Sequence, residues 1–346
     1  MNIYVFYTLF ALIILLGCDN KKVVEFKSKK YLTSKTVTEI EILSSGNVYI
    51  SVVDTFLVVV KSDEPFIELY STNSHKLLLS FGKEGRGPNE FLGPSLIKNR
   101  SVSVGKNIFF VHDYKRNKIA RIEIGEVLKD SQNFEILPIP KTDHHMTFVH
   151  YISDRYIIGT PSQGGIMTIL DLMNGESNLV PYLPELEFNV PEFSLPTIFR
   201  PAVLVNKKKN RIVVAPLYLG EMSFFNFKGE LINSVAFEPR NKYEEELIQG
   251  EQAFSEIKEQ IIELELVDDY IYALNSNTSV KNFRSNQRQN KIQVFNWNGN
   301  PIKEYILEQE HIFSMSVDPI QKRIYGYNMS AKTHNIVYGS RQLKVI

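Results

Sequence analysis

The sequence predicts an all-β fold: a six-bladed β-propeller, closed by an N-terminal strand and carrying one short helical insertion. Three observations lead there. Short runs of β-branched and aromatic residues, bounded by turn residues, recur along the chain. They group into six units of roughly 40–55 residues, the repeat length of a four-stranded blade. The last unit lacks an obvious outer strand, while residues 37–43 (VTEIEIL) alternate well and precede the first unit.

The units are placed at 44–82, 95–140, 146–184, 198–237, 263–307 and 311–346. The first shows the whole pattern: NVYISV (47–52), FLVVV (56–60), FIELYS (66–71) and LLLSF (77–81). Later units repeat it with NIFFVHD (107–113), RYIIGT (155–160), NRIVVAP (210–216), DYIYALN (269–275) and KRIYGYN (322–328). One internal match is close: Phe225-Asn226-Phe227-Lys228-Gly229 parallels Phe295-Asn296-Trp297-Asn298-Gly299, and Leu170-Asp171-Leu172-Met173-Asn174-Gly175 repeats the theme. Glycine suits these turns because it accepts positive φ without a Cβ clash. A β-sandwich or two β-domains would also give many short strands, but the order of strands and turns is kept throughout and no linker divides the chain. The strand at 37–43 is expected to complete the last blade and remove its exposed edge. In residues 244–264 the spacing of Leu247, Phe254, Ile257, Ile261 and Leu264 predicts a helix, with Glu244, Glu245 and Glu246 favouring its N-terminus.

The chain has 346 residues, 39 Lys+Arg against 39 Asp+Glu, and one cysteine. A zero balance argues against a generally basic nucleic-acid binder, so no nucleic-acid partner is expected. One cysteine excludes an internal disulfide, a cysteine zinc cluster and a CxxC pair. Residues 1–18 (MNIYVFYTLFALIILLGC) carry no charged side chain. The apolar run Val5 to Leu16 is too short to span a bilayer comfortably and has the length of a signal-peptide core. It ends in Leu15-Leu16-Gly17-Cys18, which resembles the lipobox of bacterial lipoproteins. A small residue before the cysteine admits the peptidase, and the thiol that follows carries the lipid. The n-region lacks Lys and Arg, and Leu16 is bulkier than usual there; an uncleaved anchor is the alternative. Residues 18–35 read as a lipidated tether, with Lys21, Lys22, Lys27, Lys29, Lys30 and Lys35 against Asp19 and Glu25.

Residues 81–91 read Phe-Gly-Lys-Glu-Gly-Arg-Gly-Pro-Asn-Glu-Phe. With the lipobox, this run resembles the TolB-like six-bladed β-propeller lipoproteins of Gram-negative bacteria, as do DYIYALN (269–275) and IQVFNWNGNPIKEY (292–305) in the fifth unit. The resemblance implies a six-bladed ring and an envelope location, and carries over no catalytic or binding residue. Read directly, Gly82, Gly85, Gly87 and Pro88 form a structural loop that turns the chain from one blade to the next. It lacks the Gly-Lys-Ser/Thr ending of a phosphate loop.

Other groups carry weaker chemistry. His144, His145 and His150 lie close together, but adjacent strand residues point to opposite faces, so no metal site is assigned. Lys207-Lys208-Lys209-Asn210-Arg211 reads as a hairpin turn in water. The segment with Lys281, Arg284, Arg288 and Lys291 reads as a loop that could meet an anionic glycan. No catalytic residue, metal or cofactor is nominated, since nucleophile-elbow, HExxH and EF-hand patterns are missing. The expected function is a membrane-anchored lipoprotein whose propeller is a non-enzymatic binding or scaffold module. Its partners are membrane lipid through acylated Cys18 and an unidentified envelope protein or glycan, with the outer membrane expected over the inner. The alternatives are a structural subunit of an envelope assembly, or a channel-centred metal-dependent lactonase or lyase.

Overall fold

The computed structural model describes residues 23–98, 107–141, 146–161, 164–184, 195–238, 257–279, 282, 290–308, 312–328 and 334–339. Two short N-terminal strands come first, β1 (Lys29–Leu32) and β2 (Lys35–Val37). Blade 1 is β3 (Val48–Val53), β4 (Phe56–Lys61), β5 (Ile67–Ser71) and β6 (Leu77–Phe81). A two-stranded parallel ribbon, β7 (Lys83–Glu84) and β8 (Glu90–Phe91), leads into blade 2. Blade 2 is β9 (Pro94–Ile97), β10 (Ile108–Asp113), β11 (Lys118–Glu123) and β12 (Glu135–Pro138), with the single turn α1 (Ile124–Val127) before its last strand. Blade 3 is β13 (Met146–Tyr151), β14 (Tyr156–Pro161), β15 (Met167–Asp171) and β16 (Ser177–Val180). After α2 (Leu195–Ile198) comes blade 4: β17 (Pro201–Asn206), β18 (Arg211–Pro216), β19 (Glu221–Phe225) and β20 (Leu231–Ala236). Blade 5 is β21 (Lys258–Val267), β22 (Tyr270–Ser279), β23 (Lys291–Asn296) and β24 (Pro301–Leu307). Blade 6 is β25 (Ser314–Asp318), β26 (Arg323–Asn328) and β27 (His334–Gly339).

Each blade is a sheet with its strands in chain order, and the six first strands touch in a closed circle, β3 to β9, β13, β17, β21, β25 and back to β3. The predicted six-bladed architecture is therefore present. Its core is divided among the seams. In β4, Val58 and Val60 pack toward blade 2 while Leu57 and Val59 pack toward blade 6. Both faces of the strand are buried, which is why the run reads as continuously apolar instead of alternating. The other four seams each hold one apolar cluster of the same kind.

The N-terminal region differs from expectation in two ways. An N-terminal strand does complete the last blade, but it is β2, Lys35–Val37, antiparallel to β27, so of the expected residues 37–43 only Val37 takes part. Ile40 and Ile42 still bury themselves in the seam of blades 6 and 1, so their alternation reports packing without strand pairing. Second, the ordered body begins well before residue 36. Val24 donates its N–H to Ala236 O at 2.9 Å, Phe26 meets Phe295 edge-on at 5.1 Å, and β1 pairs in parallel with β24 as a fifth strand. Residues 23–37 form a strap across the outer edges of blades 4, 5 and 6, and their apolar side chains are what seat it.

The helix expected at 244–264 is corrected where the structure describes it. Residues 258–264 belong to β21, the innermost strand of blade 5, paired with β22. Ile257, Ile261 and Leu264 satisfy a helical spacing. Glu263-Leu264-Glu265-Leu266 alternate with period two, and pairing along β22 decides between them. Residues 244–256 lie outside the described residues. Among the described residues no helix is long and apolar enough to cross a membrane.

The repeated turn has a common geometry. Asn226 Oδ1 accepts the N–H groups of Lys228 and Glu230 at 2.9 and 3.0 Å. Asn296 Oδ1 does the same for Asn298 and Asn300 at 2.9 and 3.0 Å, and Asp171 Oδ1 accepts from Met173 at 2.9 Å. Two of these turns are gripped by the preceding blade: Asn178 Nδ2 donates to Lys228 O at 3.3 Å and Asn233 Nδ2 to Asn298 O at 3.0 Å. The turn glycine must be glycine twice over. Gly299 has φ +78°, and a Cβ there would collide with Val235 Cγ2 and press on Phe224. Gly299→Ala is expected to lower the unfolding free energy by about 2 kcal/mol, adding left-handed strain to overpacking. Urea denaturation checks this, and a loss under half that size would show that the seam can relax.

The central channel and its mouth

The first strand of each blade presents one edge to the channel, and its N–H groups there have no strand to pair with. Side chains from the preceding blade supply the acceptors. Ile50 N–H donates to Ser314 Oγ at 3.1 Å and Val52 N–H to Ser316 Oγ at 2.8 Å. One blade further back, Met315 N–H and Ser314 Oγ–H donate to Glu263 at 2.5 and 3.1 Å. Val317 N–H and Ser316 Oγ–H donate to Glu265 at 2.8 and 2.7 Å. Two carboxylates and two hydroxyls at i, i+2 spacing thus lace blades 5, 6 and 1 together. The rungs also fix direction: residue numbers rise together along β3, β25 and β21, so these inner strands run parallel.

Lys98, just past β9, reaches across the channel from blade 2. Its Nζ lies 2.7 Å from Glu263 Oε1 on blade 5 and donates to Met315 O on blade 6. Blades 2 and 5 are opposite in a six-membered ring, so this ion pair bridges the channel. Burial pushes the Glu263 carboxyl up from its ordinary value, and Lys98 and the Met315 N–H pull it back.

Below the bridge, the starts of the inner strands and the turns after the second strands gather at one end of the channel. Tyr49 near the start of β3 is hydrogen-bonded to Ser95 of β9 and lies close enough to Arg200, Glu263 and Tyr114 to feel their charge; burial is the main reason its hydroxyl is pushed up. Tyr218, after β18, is raised mainly by burial, then by Glu259, with Arg200 opposing. Phe148 is held differently. The register of β13 slips between Thr147 and His150, and Phe148 in this bulge has φ +47°. The bulge turns its ring outward, 43% exposed, with the Arg200 guanidinium 4.7 Å above it. A left-handed aromatic residue is costly, and such outliers gather at binding sites. The mouth therefore combines tyrosine, phenylalanine and arginine over a floor made by the Lys98–Glu263 pair.

The sequence-nominated residues sit elsewhere. Cys18, Leu15, Leu16 and Gly17 lie outside the described residues. Gly82, Gly85, Gly87 and Pro88 form the loop around β7 and β8, folded on its own Glu90: Gly87 N–H donates to Glu90 Oε2 at 2.6 Å, and a Cβ on Gly85 would overlap the same carboxylate. Arg116 Nη1 donates to Gly87 O at 2.7 Å, Lys118 Nζ reaches Pro88 O at 3.2 Å, and Phe91 is fully buried. The loop's groups are spent on one another, so it offers little to a ligand. His144 and His145 lie outside the described residues. His150 is on β13 with both ring nitrogens buried and unpartnered. Among the described residues no three His, Cys, Asp or Glu side chains gather to hold a metal ion. Residues 207–210 form the hairpin between β17 and β18. Lys281, Arg284 and Arg288 lie outside the described residues, while Lys291 pairs with Glu238 at 3.4 Å. Sequence reasoning missed Lys98, Glu263, Glu265, Phe148 and Arg200. The paired Glu263/Glu265 and Ser314/Ser316 at period-two spacing were the available signal, and the helical reading of 244–264 hid the first pair.

Comparisons with known proteins agree with this geometry. No curated protein matches the sequence. Among solved structures, the chain resembles a member of the DUF4221 family from Bacteroides vulgatus, with TM-score 0.57 and 11% identity over 92% of this chain and 98% of that one. It also resembles a putative exported protein from Bacteroides fragilis, with TM-score 0.53 and 10% identity over 90% and 97% of the two chains. At such identities the likeness shows the fold alone. Residues 25–319 match the family described as TolB-like 6-blade propeller-like, which spans the strap and five blades and enters the sixth, and the chain belongs to that family.

Proposed function

We propose that the protein is a bacterial envelope lipoprotein, anchored through diacylated Cys18, whose propeller is a non-enzymatic binding module with its site at the channel mouth. The observation that carries the binding site is Phe148, kept in a left-handed bulge with its ring exposed beneath Arg200. Folding alone gives no reason to hold an aromatic ring outward at that cost. Aromatic faces beside one guanidinium suit a glycan ring or a protein segment, and the ionisable groups beneath are occupied with one another. The anchor reading rests on the uncharged leader ending in Leu-Leu-Gly-Cys.

Two experiments test the two halves. Cys18→Ser should abolish metabolic palmitate labelling and release the protein from membranes; persistent label would overturn the anchor. For the site, purified wild-type protein and a Phe148→Ala/Arg200→Ala variant should be compared on a glycan array and in pull-downs from detergent-solubilised envelopes. The variant is expected to lose at least about tenfold in affinity, since two contacts at a binding centre are removed. Unchanged binding would exclude the mouth.

A further inference from the structure

The strap fixes where the lipid anchor meets the ring. Four residues, Asp19, Asn20, Lys21 and Lys22, separate Cys18 from Val23, the first described residue. Even fully extended, the chain from Cys18 to Val23 spans at most about 18 Å. Val24 is hydrogen-bonded to Ala236 at the end of β20, and Phe26 is packed in the seam of blades 4 and 5 against Phe295. The anchor therefore cannot stray far from this one seam.

The surface beside that seam has a matching composition. The outer strand of blade 4 exposes Leu231 and Ile232, 46% and 45%, and the strap's own β1 exposes Tyr31, 64%. Lys27, Lys29 and Lys228 are exposed around them, and Lys21 and Lys22 lie in the short connection to the lipid. Aliphatic side chains, a tyrosine and several lysines are what an interfacial membrane surface uses: apolar groups enter the headgroup boundary, and the cations meet anionic lipids. Glu25, Glu230 and Glu308 are exposed acidic residues in the same area, and Lys29 is paired with Glu304 at 3.4 Å.

We infer that the outer edges of blades 4 and 5, with Leu231, Ile232 and Tyr31 at the centre, form a docking surface for the lipid bilayer in which the protein is anchored. The ring then stands on this edge, with blades 1 and 2 turned away. This inference rests on the anchor reading above. The molecule supplies its own control. Blade 1 exposes Leu77 and Leu78, 51% and 45%, on its outer strand β6, three blades away and hence on the opposite side of the ring. Exposed leucines alone do not select the surface; the seat of the strap does.

The test uses the full-length lipidated protein in vesicles of phosphatidylethanolamine and phosphatidylglycerol. Leu231→Cys and Leu77→Cys variants are labelled with an environment-sensitive fluorophore; acylation has consumed the Cys18 thiol, so each carries one free thiol. A nitroxide on the lipid headgroup serves as quencher. The label at residue 231 should lose most of its emission and the label at residue 77 should keep it. Ile232→Cys and Leu78→Cys provide a second pair in case either first variant folds poorly. Without phosphatidylglycerol the quenching at residue 231 should weaken. Equal quenching at the two sites, or stronger quenching at residue 77, overturns the orientation. Intact mass reports acylation separately: an acylated protein with equal quenching refutes the docking surface and leaves the anchor standing, whereas an unacylated protein refutes both.

Discussion

Lowering the pH from 7 to 5 should cost the fold about 4 kcal/mol through two buried histidines. His112 on β10 and His150 on β13 are unpartnered at ring nitrogens enclosed by protein: Nε2 of His112 and both nitrogens of His150. Burial pushes each down from 6.5 to about 4; Asp113 opposes this at His112, and His112 reinforces it at His150. The folded state thus binds protons more weakly than the unfolded chain. The stability is fully present above about pH 6.5 and is lost as pH falls toward about 4, where the folded state titrates too. With those values each histidine contributes about 2 kcal/mol of the loss by pH 5. Urea unfolding of the wild type and of a His112→Leu/His150→Leu variant at both pH values checks this. The variant should lose much less on acidification. Equal losses in the two proteins would show that these imidazoles accept protons inside the fold.

Lys98→Met should destabilise the ring by about 3 kcal/mol. The substitution leaves the Glu263 carboxylate in the channel without its cation, and breaking one side of a buried pair costs more than never having made it. The side chains of Lys98 and Glu263 are 11% and 12% exposed, so water can offset little of that charge. Adding Glu263→Gln should restore part of the loss, because the amide oxygen can still accept from Met315 N–H while the amide nitrogen donates to Ser314 Oγ. Thermal unfolding of the two variants checks the pair. A double variant no more stable than Lys98→Met would mean that the lysine acts through its stem alone.

The architecture was legible because every blade repeats one physical problem. A strand buried on both faces needs a run such as FLVVV, and a hairpin needs a residue that tolerates positive φ, so six copies of that grammar spell six blades. The strap was harder to read. Val24 and Phe26 are two apolar residues among lysines, and only the groove between blades 4 and 5 reveals that they have somewhere to go. Residues 258–264 satisfy two periodicities at once, and a partner strand made the choice. The mouth was less legible still. Lys98 and Glu263 are 165 positions apart in sequence, reckoned as 263 − 98, and nothing local marks them as partners. Phe148 looks like an ordinary strand residue until the bulge turns it outward.

The order in which the strap crosses the blades has a mechanical consequence. Tension applied from the N-terminus meets Val24 and Phe26 first, then the four-residue parallel ladder of β1 on β24, and only afterwards β2, whose three residues close the ring on β27. The closing strand is the shorter of the two and is placed last in the line of load. The segment ahead of it acts as strain relief: a pull from the N-terminal side spends itself on shearing β1 along blade 5 before it can reach the joint that keeps the circle shut.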